Sequence, residues 1–442
     1  MRIVIMVETF NREFYSKLNF SKKLIEDNND IEVVFGSDRE LIYSLPTLEA
    51  DLIFVNNPDY SPLIFKSLKL CKSNGSKLIL LDNEGGIFNN INSLIERANT
   101  PIINLIDFWF VWGSKQKEYI ANSKIFSEDN IIVTGTPFFE TLRPKSIYIW
   151  DKYFSKIDLI LKKSNYILIN TRFSIGNESV KNQYRHLNSQ EVYDYEEKLI
   201  ESFISLAKKI SKNISNKKIV FRPHPSEGLE IYKDAFRDYE NIIVTREFPV
   251  QSWLVKTDIL IHNGCTTAIE AHLSKVKKII SYKKHSNDKL DFLISDNCSK
   301  IVKSESEIIN LINEKNFENN YNLSDIGDVI NNFNDDSNIL ISDFIRKITF
   351  KKNVLLKFSF QLFLKALKNI FKERYFYKLV LNFLPKNYTI EHEYQQSKLK
   401  IINKDSIQDF LHLDSRSKYK VSNYLFKKLI KTKNVFIIKK LN

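Results

Sequence analysis

Short runs of β-branched and aromatic residues alternate with longer segments of helical period through residues 1–345 of the 442-residue chain. The first five strand-like runs are RIVIMV, IEVVF, DLIFV, KLILL and FWFVW. Between two of them, SPLIFKSLKLCKSNG places apolar residues at i, i+3 and i+4, the spacing of an amphipathic helix. Alternation of apolar strands with helices is typical of a parallel sheet covered on both faces. The pattern therefore predicts an α/β fold.

A second set of strand-like runs indicates a second domain. These runs are YILIN, KIVFRPHP, NIIVT, DILIH and KKIISY. The strand pattern lapses between the two sets, at residues 141–154. Two doubly wound domains account for this organisation. We expect a Rossmann-like domain over residues 1–145, a second over 146–345, and a basic, aromatic-rich, mainly helical extension over 346–442.

The net charge of +13 is concentrated in the C-terminal extension. Residues 351–442 contain 21 Lys and Arg against 6 Asp and Glu, whereas the preceding residues contain 45 against 47. An enzyme that acts on nucleic acid usually places its basic charge around its site. The charge pattern therefore does not favour a nucleic-acid partner for the α/β part of the chain.

A stripe of lysines marks the apolar segment 354–384. At 100° per residue, four of its lysines fall within an arc of about 80°. They are Lys357, Lys365, Lys368 and Lys372. A basic stripe beside a broad apolar face suits an anionic membrane surface or a docking partner. The alternative is a helix packed on the protein with its lysines in water.

The spacing of the cysteines and the length of the apolar runs indicate the cellular compartment. Cys71, Cys265 and Cys298 match no disulfide framework and no CxxC spacing, which indicates a reducing compartment and a metal-free chain. The N-terminal run MRIVIMVETF predicts a first strand rather than a signal peptide, because its apolar part is too short for a signal h-region and is followed at once by charged residues. The apolar runs fall well short of the roughly 18 residues that span a bilayer. We expect a cytoplasmic protein that needs no cofactor.

Two carboxylates and two glycines follow the strand KLILL. They belong to the stretch Asp82, Asn83, Glu84, Gly85 and Gly86. Ligands of open α/β sheets bind beyond the carboxyl ends of strands. A carboxylate there can act as a general acid or base. A tight turn with a solvated carboxylate that caps the next helix is the alternative.

A histidine between two prolines follows another strand, in FRPHPSEG. Pro223 and Pro225 restrict the backbone on both sides of His224. Arg222 adds a permanent positive charge, and Ser226 can cap or donate a hydrogen bond. The cluster suits an anionic ligand, because an imidazole N–H can stabilise a departing phosphate oxygen. A histidine satisfied within a packed turn remains an alternative.

A third loop, in DILIHNGCTTAIEAH, ends a strand at His262 and turns at Asn263 and Gly264. Thr266 and Thr267 then stand where a helix would begin. Hydroxyls and N–H groups at a helix N-terminus bind anions, although plain helix capping explains them equally.

Secondary candidates are Glu8, Arg12, Arg172 and Glu270. Glu270, one turn into the helix predicted after Thr267, could reach a ribose or sugar hydroxyl. The other three could equally be surface or capping residues.

The order of these loops is similar to that in the sialyltransferases and Kdo transferases of GT-B fold, which use CMP-activated sugars. More closely, five motifs resemble the bacterial family of surface carbohydrate biosynthesis proteins: DNEGG, TGTPFFETLRP, YILINTRFS, RPHPSE and HNGCTTAIEA. The resemblance covers about residues 1–345. It implies a GT-B fold, in which an N-terminal acceptor domain and a nucleotide-sugar-binding domain face each other across a cleft.

The resemblance also implies roles for residues. Glu84 or Asp82 would activate the acceptor hydroxyl. His224 and Ser226 would bind the phosphate of CMP, which Thr266 and Thr267 would also hold from the neighbouring helix. The other candidate binding residues, taken from the loops themselves, are Gly85, Gly86, Arg222, Pro225, Glu227, Asn263, Gly264, Glu270, Glu8 and Arg172. Sialyltransferases have two adjacent acids before the glycine, whereas this chain has Asn83 before Glu84. The identity of the base and the choice between inversion and retention therefore stay open.

We accordingly expect a metal-independent glycosyltransferase of bacterial surface polysaccharide biosynthesis. It would transfer a 3-deoxy-ulosonic or nonulosonic acid from a CMP-sugar to a glycan or lipid-linked glycan at the inner membrane. CMP leaves as a phosphomonoester, so imidazole, hydroxyls and a helix dipole can offset its charge without a metal. The alternatives are a CDP-glycerol-type or other nucleotide-linked transferase, a sugar-nucleotide epimerase of GT-B fold, and a noncatalytic polysaccharide-binding module.

Overall fold

Parallel sheets organise both units of the chain in the computed structural model. The structure describes residues 1–85, 91–173, 176–177, 190–287, 291, 293–315, 317, 327–350, 364, 368, 402–413, 419–426 and 430–440. The first unit consists of Met1–Thr141 together with Gly327–Asn442, and the second is Leu142–Ile326.

Six parallel strands form the centre of the first unit, in the order β2-β1-β3-β4-β5-β6. They are β1 (Arg2–Val7), β2 (Glu32–Ser37), β3 (Leu52–Val55), β4 (Lys77–Leu81), β5 (Phe108–Val111) and β6 (Ile131–Val133). The helices between them are α1 (Phe10–Asp27), α2 (Asp38–Ser44), α3 (Pro62–Ser73), α4 (Ile91–Ala98), α5 (Ser114–Ser123) and α6 (Pro137–Glu140). Strand β2 lies on one side of β1, whereas β3 and the later strands lie on the other. A topological switch point therefore lies between β1 and β3.

The second unit contains a six-stranded parallel sheet in the order β12-β11-β10-β7-β8-β9. Its strands are β7 (Tyr166–Asn170), β8 (Lys218–Arg222), β9 (Ile242–Val244), β10 (Ile259–His262), β11 (Lys278–Tyr282) and β12 (Lys300–Val302). Its helices are α7 (Asp151–Leu161), α8 (Gln190–Asn213), α9 (Glu230–Ala235), α10 (Val250–Leu254), α11 (Thr267–Leu273), α12 (Leu293–Asn297) and α13 (Glu305–Asn313). The switch point lies between β7 and β10. This strand order is that of a Rossmann domain.

The segment 327–345 differs from the predicted division, which assigned it to the second domain. It contributes helix α14 (Ser337–Lys347) to the first unit, where α14 contacts α1 and α6. The side-chain amide of Asn332 donates to the carbonyl of Thr136 at 2.8 Å and to Glu140 at 2.6 Å. These buried bonds explain why the segment returns to the first unit.

The extension also differs from the prediction, because its described part contains strands as well as a helix. Helix α15 (Lys404–Leu411) is followed by β13 (Tyr419–Phe426) and β14 (Ile430–Lys440), which pair antiparallel with each other. Strand β14 also pairs antiparallel with β2 and completes an eight-stranded sheet. Without β14, β2 would present unpaired backbone groups at the sheet edge. The extension is therefore a structural part of the first unit.

Most of the segment that carries the predicted lysine stripe lies outside the described residues. Across the parts of the chain that are described, no helix is both long enough and apolar enough to cross a membrane.

Candidate functional site

Three loops carry most of the predicted site residues, and each begins where a strand ends. The carboxylate loop (residues 82–85) follows β4, and the histidine loop (222–227) begins at the last residue of β8. The threonine loop (262–267) begins at the last residue of β10. Gly86 lies outside the described residues. Each loop therefore lies at the carboxyl edge of the parallel sheet of its own unit, where ligands of such sheets bind.

Asp82 anchors the carboxylate loop from the protein interior. Its side chain is 1% exposed and forms a two-point ion pair with Arg97 of α4, at 2.7 and 2.8 Å. One of the same oxygens accepts the backbone N–H of Glu84 at 3.0 Å. Burial raises the pKa of the Asp82 carboxyl, and the ion pair with Arg97 opposes that effect. These contacts suit Asp82 to hold the loop rather than to meet a ligand.

The backbone of the carboxylate loop is equally constrained. The indole Nε1 of Trp112 donates to the Asp82 carbonyl at 2.9 Å. A Cβ atom added at Gly85 would lie 2.9 Å from Nε2 of Gln116 and 3.3 Å from Nε1 of Trp112. A side chain at this position would therefore have to displace the Gln116 amide.

Glu84 is the carboxylate of this loop that reaches solvent, with 53% of its side chain exposed. It pairs with Arg12 of α1 at 3.3 Å, and the same guanidinium donates to the Asn83 carbonyl at 3.3 Å. The guanidinium carbon of Arg12 lies 5.7 Å from the ring centre of Phe138. A partly exposed carboxylate on an anchored backbone can exchange a proton with a bound hydroxyl.

A pocket lies beside Glu84, at the switch point between β1 and β3. It is lined by Ile5, Arg12, Glu13, Ser16, Lys17, Phe20, Phe54, Asn56, Leu81, Asn83, Thr136, Pro137 and Phe138. Buried Lys17 donates to Glu13 at 2.7 Å, to Asn56 at 2.9 Å and to the Met6 carbonyl at 2.6 Å. Glu8 belongs to this network through its backbone N–H, which donates to Glu13 at 3.1 Å.

The histidine loop turns back on itself. The Nδ1 atom of His224 lies 2.5 Å from the Ser226 hydroxyl and accepts the Ser226 backbone N–H at 3.2 Å. These contacts place the lone pair of neutral His224 on Nδ1 and its proton on Nε2. His224 and Pro225 are exposed, so the loop presents its imidazole at the surface of the second unit.

Buried Glu227 holds the histidine loop in place. It accepts the backbone N–H of His224 at 2.8 Å and the hydroxyl of Thr171 at 2.7 Å. It also accepts the hydroxyl of Tyr232. Burial raises the pKa of Glu227, and these hydrogen bonds oppose the rise. Glu227 therefore acts on the loop backbone, not as a contact for a ligand.

Arg222 contacts the loop that follows β9. Its guanidinium donates to the carbonyls of Glu247 at 2.9 Å and Phe248 at 2.6 Å. Burial lowers the pKa of Arg222 to about 10. The arginine remains charged at neutral pH, but two of its N–H groups are already hydrogen-bonded to backbone carbonyls.

The threonine loop has a buried beginning. His262 is fully buried with Nε2 2.7 Å from the Ser299 hydroxyl, and burial lowers its pKa to about 3. The Asn263 amide donates to the Tyr282 carbonyl at 2.9 Å, and Gly264 adopts φ +63°. His262 is neutral at physiological pH, and its Nδ1 accepts the Cys265 backbone N–H at 3.4 Å, which holds the turn.

Helix α11 begins at Thr267, and Thr266 immediately precedes it without a capping hydrogen bond from its side chain. Buried Glu270 accepts the side-chain amide of Gln251 at 2.7 Å. Partly buried Arg172 follows β7, where burial lowers its pKa and nearby Cys265 raises it. These residues share the carboxyl edge of the sheet with the histidine loop.

Several residues of these sites were not identified from the sequence. Arg97, Glu13 and Lys17 form the buried ion pairs of the first unit, and Arg246 contacts the histidine loop. The i, i+4 spacing of Glu13 and Lys17 is visible in the sequence, but surface helices show the same spacing. Within the described residues, no group of three or more His, Cys, Asp or Glu could hold a metal ion.

No protein-family model and no curated protein sequence matches the chain. Solved structures do match, and the following three each have a TM-score of 0.50. UDP-GlcNAc 2-epimerase from Neisseria meningitidis, bound to UDP-GlcNAc, is 15% identical over 78% of this chain and 100% of its own. MnaA of S. aureus with UDP is 14% identical, over 80% and 98%. UDP-GlcNAc 2-epimerase from Methanocaldococcus jannaschii is 13% identical, over 78% and 99%. The likeness confirms the predicted GT-B fold of two Rossmann-like domains.

Proposed function

We propose that the protein is a glycosyltransferase that uses a nucleotide-activated sugar. The first unit would bind the acceptor and the second the nucleotide sugar. The observation that carries the proposal is the contrast between Asp82, buried and bound at both oxygens, and Glu84, exposed on an anchored backbone. A carboxylate held in this way suits a general base for an acceptor hydroxyl.

In the proposed reaction, Glu84 removes the proton of the acceptor hydroxyl. The hydroxyl oxygen then bonds to the anomeric carbon of the sugar, and the bond between that carbon and the phosphate oxygen breaks. The nucleotide leaves with the electron pair of the broken bond. His224 supplies a hydrogen bond from its Nε2–H for this negative charge, and Ser226 orients the imidazole through Nδ1. Thr266 and Thr267 are further candidate donors.

A sugar-nucleotide epimerase is the second candidate, supported by the likeness to UDP-GlcNAc 2-epimerases over nearly all of their chains. Epimerisation requires a proton to leave one face of the sugar and return to the other. Around the carboxylate loop, described residues Asp82 and Glu13 are buried in ion pairs, whereas Glu84 is exposed. Asp59, which follows β3 and acts on the same Arg97, is also exposed, so transfer and epimerisation are distinguished by whether nucleotide release requires an acceptor.

The motif resemblance and the similar structures point to different donor nucleotides. Motif resemblance implies CMP-activated Kdo or a sialic acid, whereas the similar structures hold UDP-GlcNAc or UDP. The comparisons thus favour the alternative of another nucleotide-linked transferase or an epimerase over transfer from CMP-activated Kdo or sialic acid. A screen of CMP, CDP, UDP, GDP and ADP for thermal stabilisation tests the donor class. A bound nucleotide at 100 times its Kd adds about 2.7 kcal/mol to the unfolding free energy, and stabilisation by none of the five would contradict the proposal.

His224→Ala is expected to lower kcat by about 10² to 10³, the effect of removing one donor that stabilises developing charge. The replacement deletes the imidazole but leaves the Glu227 bond to the backbone N–H of residue 224. The thermal unfolding midpoint should therefore stay close to that of the wild type. Steady-state kinetics with the nucleotide sugar found in the screen provide the measurement. Wild-type turnover in the variant would remove His224 from the mechanism.

We further propose that the basic extension attaches the protein to anionic lipid at the inner membrane. Each Lys or Arg near such a surface contributes about 1 kcal/mol, and salt weakens the contribution by screening. Replacement of Lys357, Lys365, Lys368 and Lys372 by Gln should reduce co-sedimentation with vesicles that contain phosphatidylserine. Removal of residues 351–442 is not a suitable test, because it also deletes β13 and β14. Equal sedimentation of the wild type and the variant at low salt would contradict this membrane role.

A further inference from the structure

Two arginines join the loops that follow β8 and β9. Arg222, at the end of β8, donates to the carbonyls of Glu247 and Phe248 in the next loop. Arg246 reaches back from that next loop and donates to the carbonyls of Pro225 at 2.6 Å and Glu227 at 2.9 Å. Each loop is thus held by an arginine from the other.

The charge of this pair is not neutralised by direct contact. Among the residues that the structure describes, neither Arg222 nor Arg246 forms an ion pair with a carboxylate. Glu227, the nearest acid of the histidine loop, directs its oxygens to His224, Thr171 and Tyr232. Burial lowers the pKa of both arginines, whereas Glu227 raises that of Arg246 and Glu270 raises that of Arg222, so the two acids offset part of this charge. Neither carboxylate bonds to the guanidinium N–H groups, whose hydrogen bonds go to carbonyls.

Arg246 also retains unused donors. Both of its hydrogen bonds come from Nη1, and within the described part of the chain Nη2 and Nε make none. The residue as a whole is partly exposed. A planar guanidinium with free N–H groups is well suited to bind phosphate oxygens, often through two parallel hydrogen bonds.

The backbone of the second loop supports this assignment. Phe248 adopts φ +60°, a left-handed conformation that is uncommon for a bulky residue and costs free energy. The Arg222 bond to its carbonyl and the Trp253 bond to the Glu247 carbonyl at 2.9 Å hold that conformation. The strained loop in turn fixes the backbone from which Arg246 extends.

We propose that Arg246 binds a phosphate group of the donor nucleotide and, through the Pro225 and Glu227 carbonyls, positions the histidine loop around it. The identity of the ligand as a nucleotide rests on the proposed function, whereas its anionic character rests on the two arginines. The ligand class is a phosphate or diphosphate with a net negative charge.

The test measures binding of UDP, CMP and inorganic pyrophosphate by titration calorimetry. Arg246→Gln should raise the Kd for each anion that the wild type binds by about tenfold to a hundredfold, because hydrogen bonds between charged groups are lost. Arg246→Lys, which keeps the charge but not the planar fork, should fall between the two. Arg237→Gln, which removes an exposed arginine on the same unit, is the matched control and should bind as the wild type does.

The outcomes separate this inference from the proposed function. Pyrophosphate binding that depends on Arg246, without binding of UDP, CMP or any other nucleotide of the screen, would uphold the anion site and contradict the nucleotide-sugar function. Equal Kd values for the wild type and Arg246→Gln, or no binding of any of the three anions to the wild type, would overturn the inference. Unfolding midpoints of both variants close to that of the wild type would show that the lost affinity is not a loss of folding. Full recovery of affinity in Arg246→Lys would overturn the role of the planar guanidinium.

Discussion

Glu84→Gln is expected to lower kcat for sugar transfer by about 10² to 10⁴, the usual contribution of a general base. The amide keeps the size of the side chain but cannot accept the proton of the acceptor hydroxyl. The nucleotide site is proposed to lie in the other unit, so the Kd for the nucleotide should change little. Rates from product formation and Kd values from calorimetry together measure this separation.

Two further variants identify the cause of the effect. Glu118→Gln, on the exposed side of α5 in the same unit, is the matched control and should retain wild-type kcat. Asp82→Asn should lower both kcat and the unfolding midpoint, because it removes the ion pair that anchors the loop. Wild-type kcat in Glu84→Gln would show that Glu84 is not the base.

Phe436→Ala is expected to lower the unfolding free energy by about 3 to 5 kcal/mol, the usual range for a buried phenylalanine. Phe436 is 1% exposed in β14 and lies opposite Phe35 of β2. Its removal leaves a cavity where the extension joins the sheet. Denaturant unfolding measures the change.

The exposed Lys439 of the same strand provides the control. Lys439→Ala should change the unfolding free energy by no more than about 0.5 kcal/mol, as surface substitutions usually do. A protein that ends at residue 350 should be less stable than Phe436→Ala, since it lacks both β13 and β14. Equal stability of that truncated protein and the full chain would contradict the structural role of the extension.

The parallel sheets were predictable because their strands are buried on both faces and therefore read as continuous apolar runs, as KLILL does in β4. The strands of the extension were harder to predict. Lysines interrupt the apolar residues of β14, and its partner β2 is about 400 residues away in sequence. The strand conformation of β14 depends on its pairing with β2 at the edge of the sheet. A pairing between residues so far apart in sequence leaves no local pattern.

The candidate site was predictable as far as loop positions, but not as far as the contacts of each side chain. Asp82 and Glu84 look equivalent in sequence, and their difference depends on Arg97, which arrives from another helix. Arg222 was expected to face a phosphate, yet its N–H groups reach carbonyls of the next loop. Arg246 had no motif to mark it, because its partners are backbone carbonyls, which every sequence supplies.

Acceptor dependence of nucleotide release tests the central claim most directly. The protein is incubated with UDP-GlcNAc or with CMP-activated sialic acid, with and without a glycan acceptor, and nucleotide and sugar products are quantified by NMR. We predict stoichiometric release of UDP or CMP, together with a new glycosidic bond, in the presence of an acceptor only. Conversion of the nucleotide sugar into its epimer, with no acceptor needed and no net release of nucleotide, would contradict the transferase and establish the epimerase.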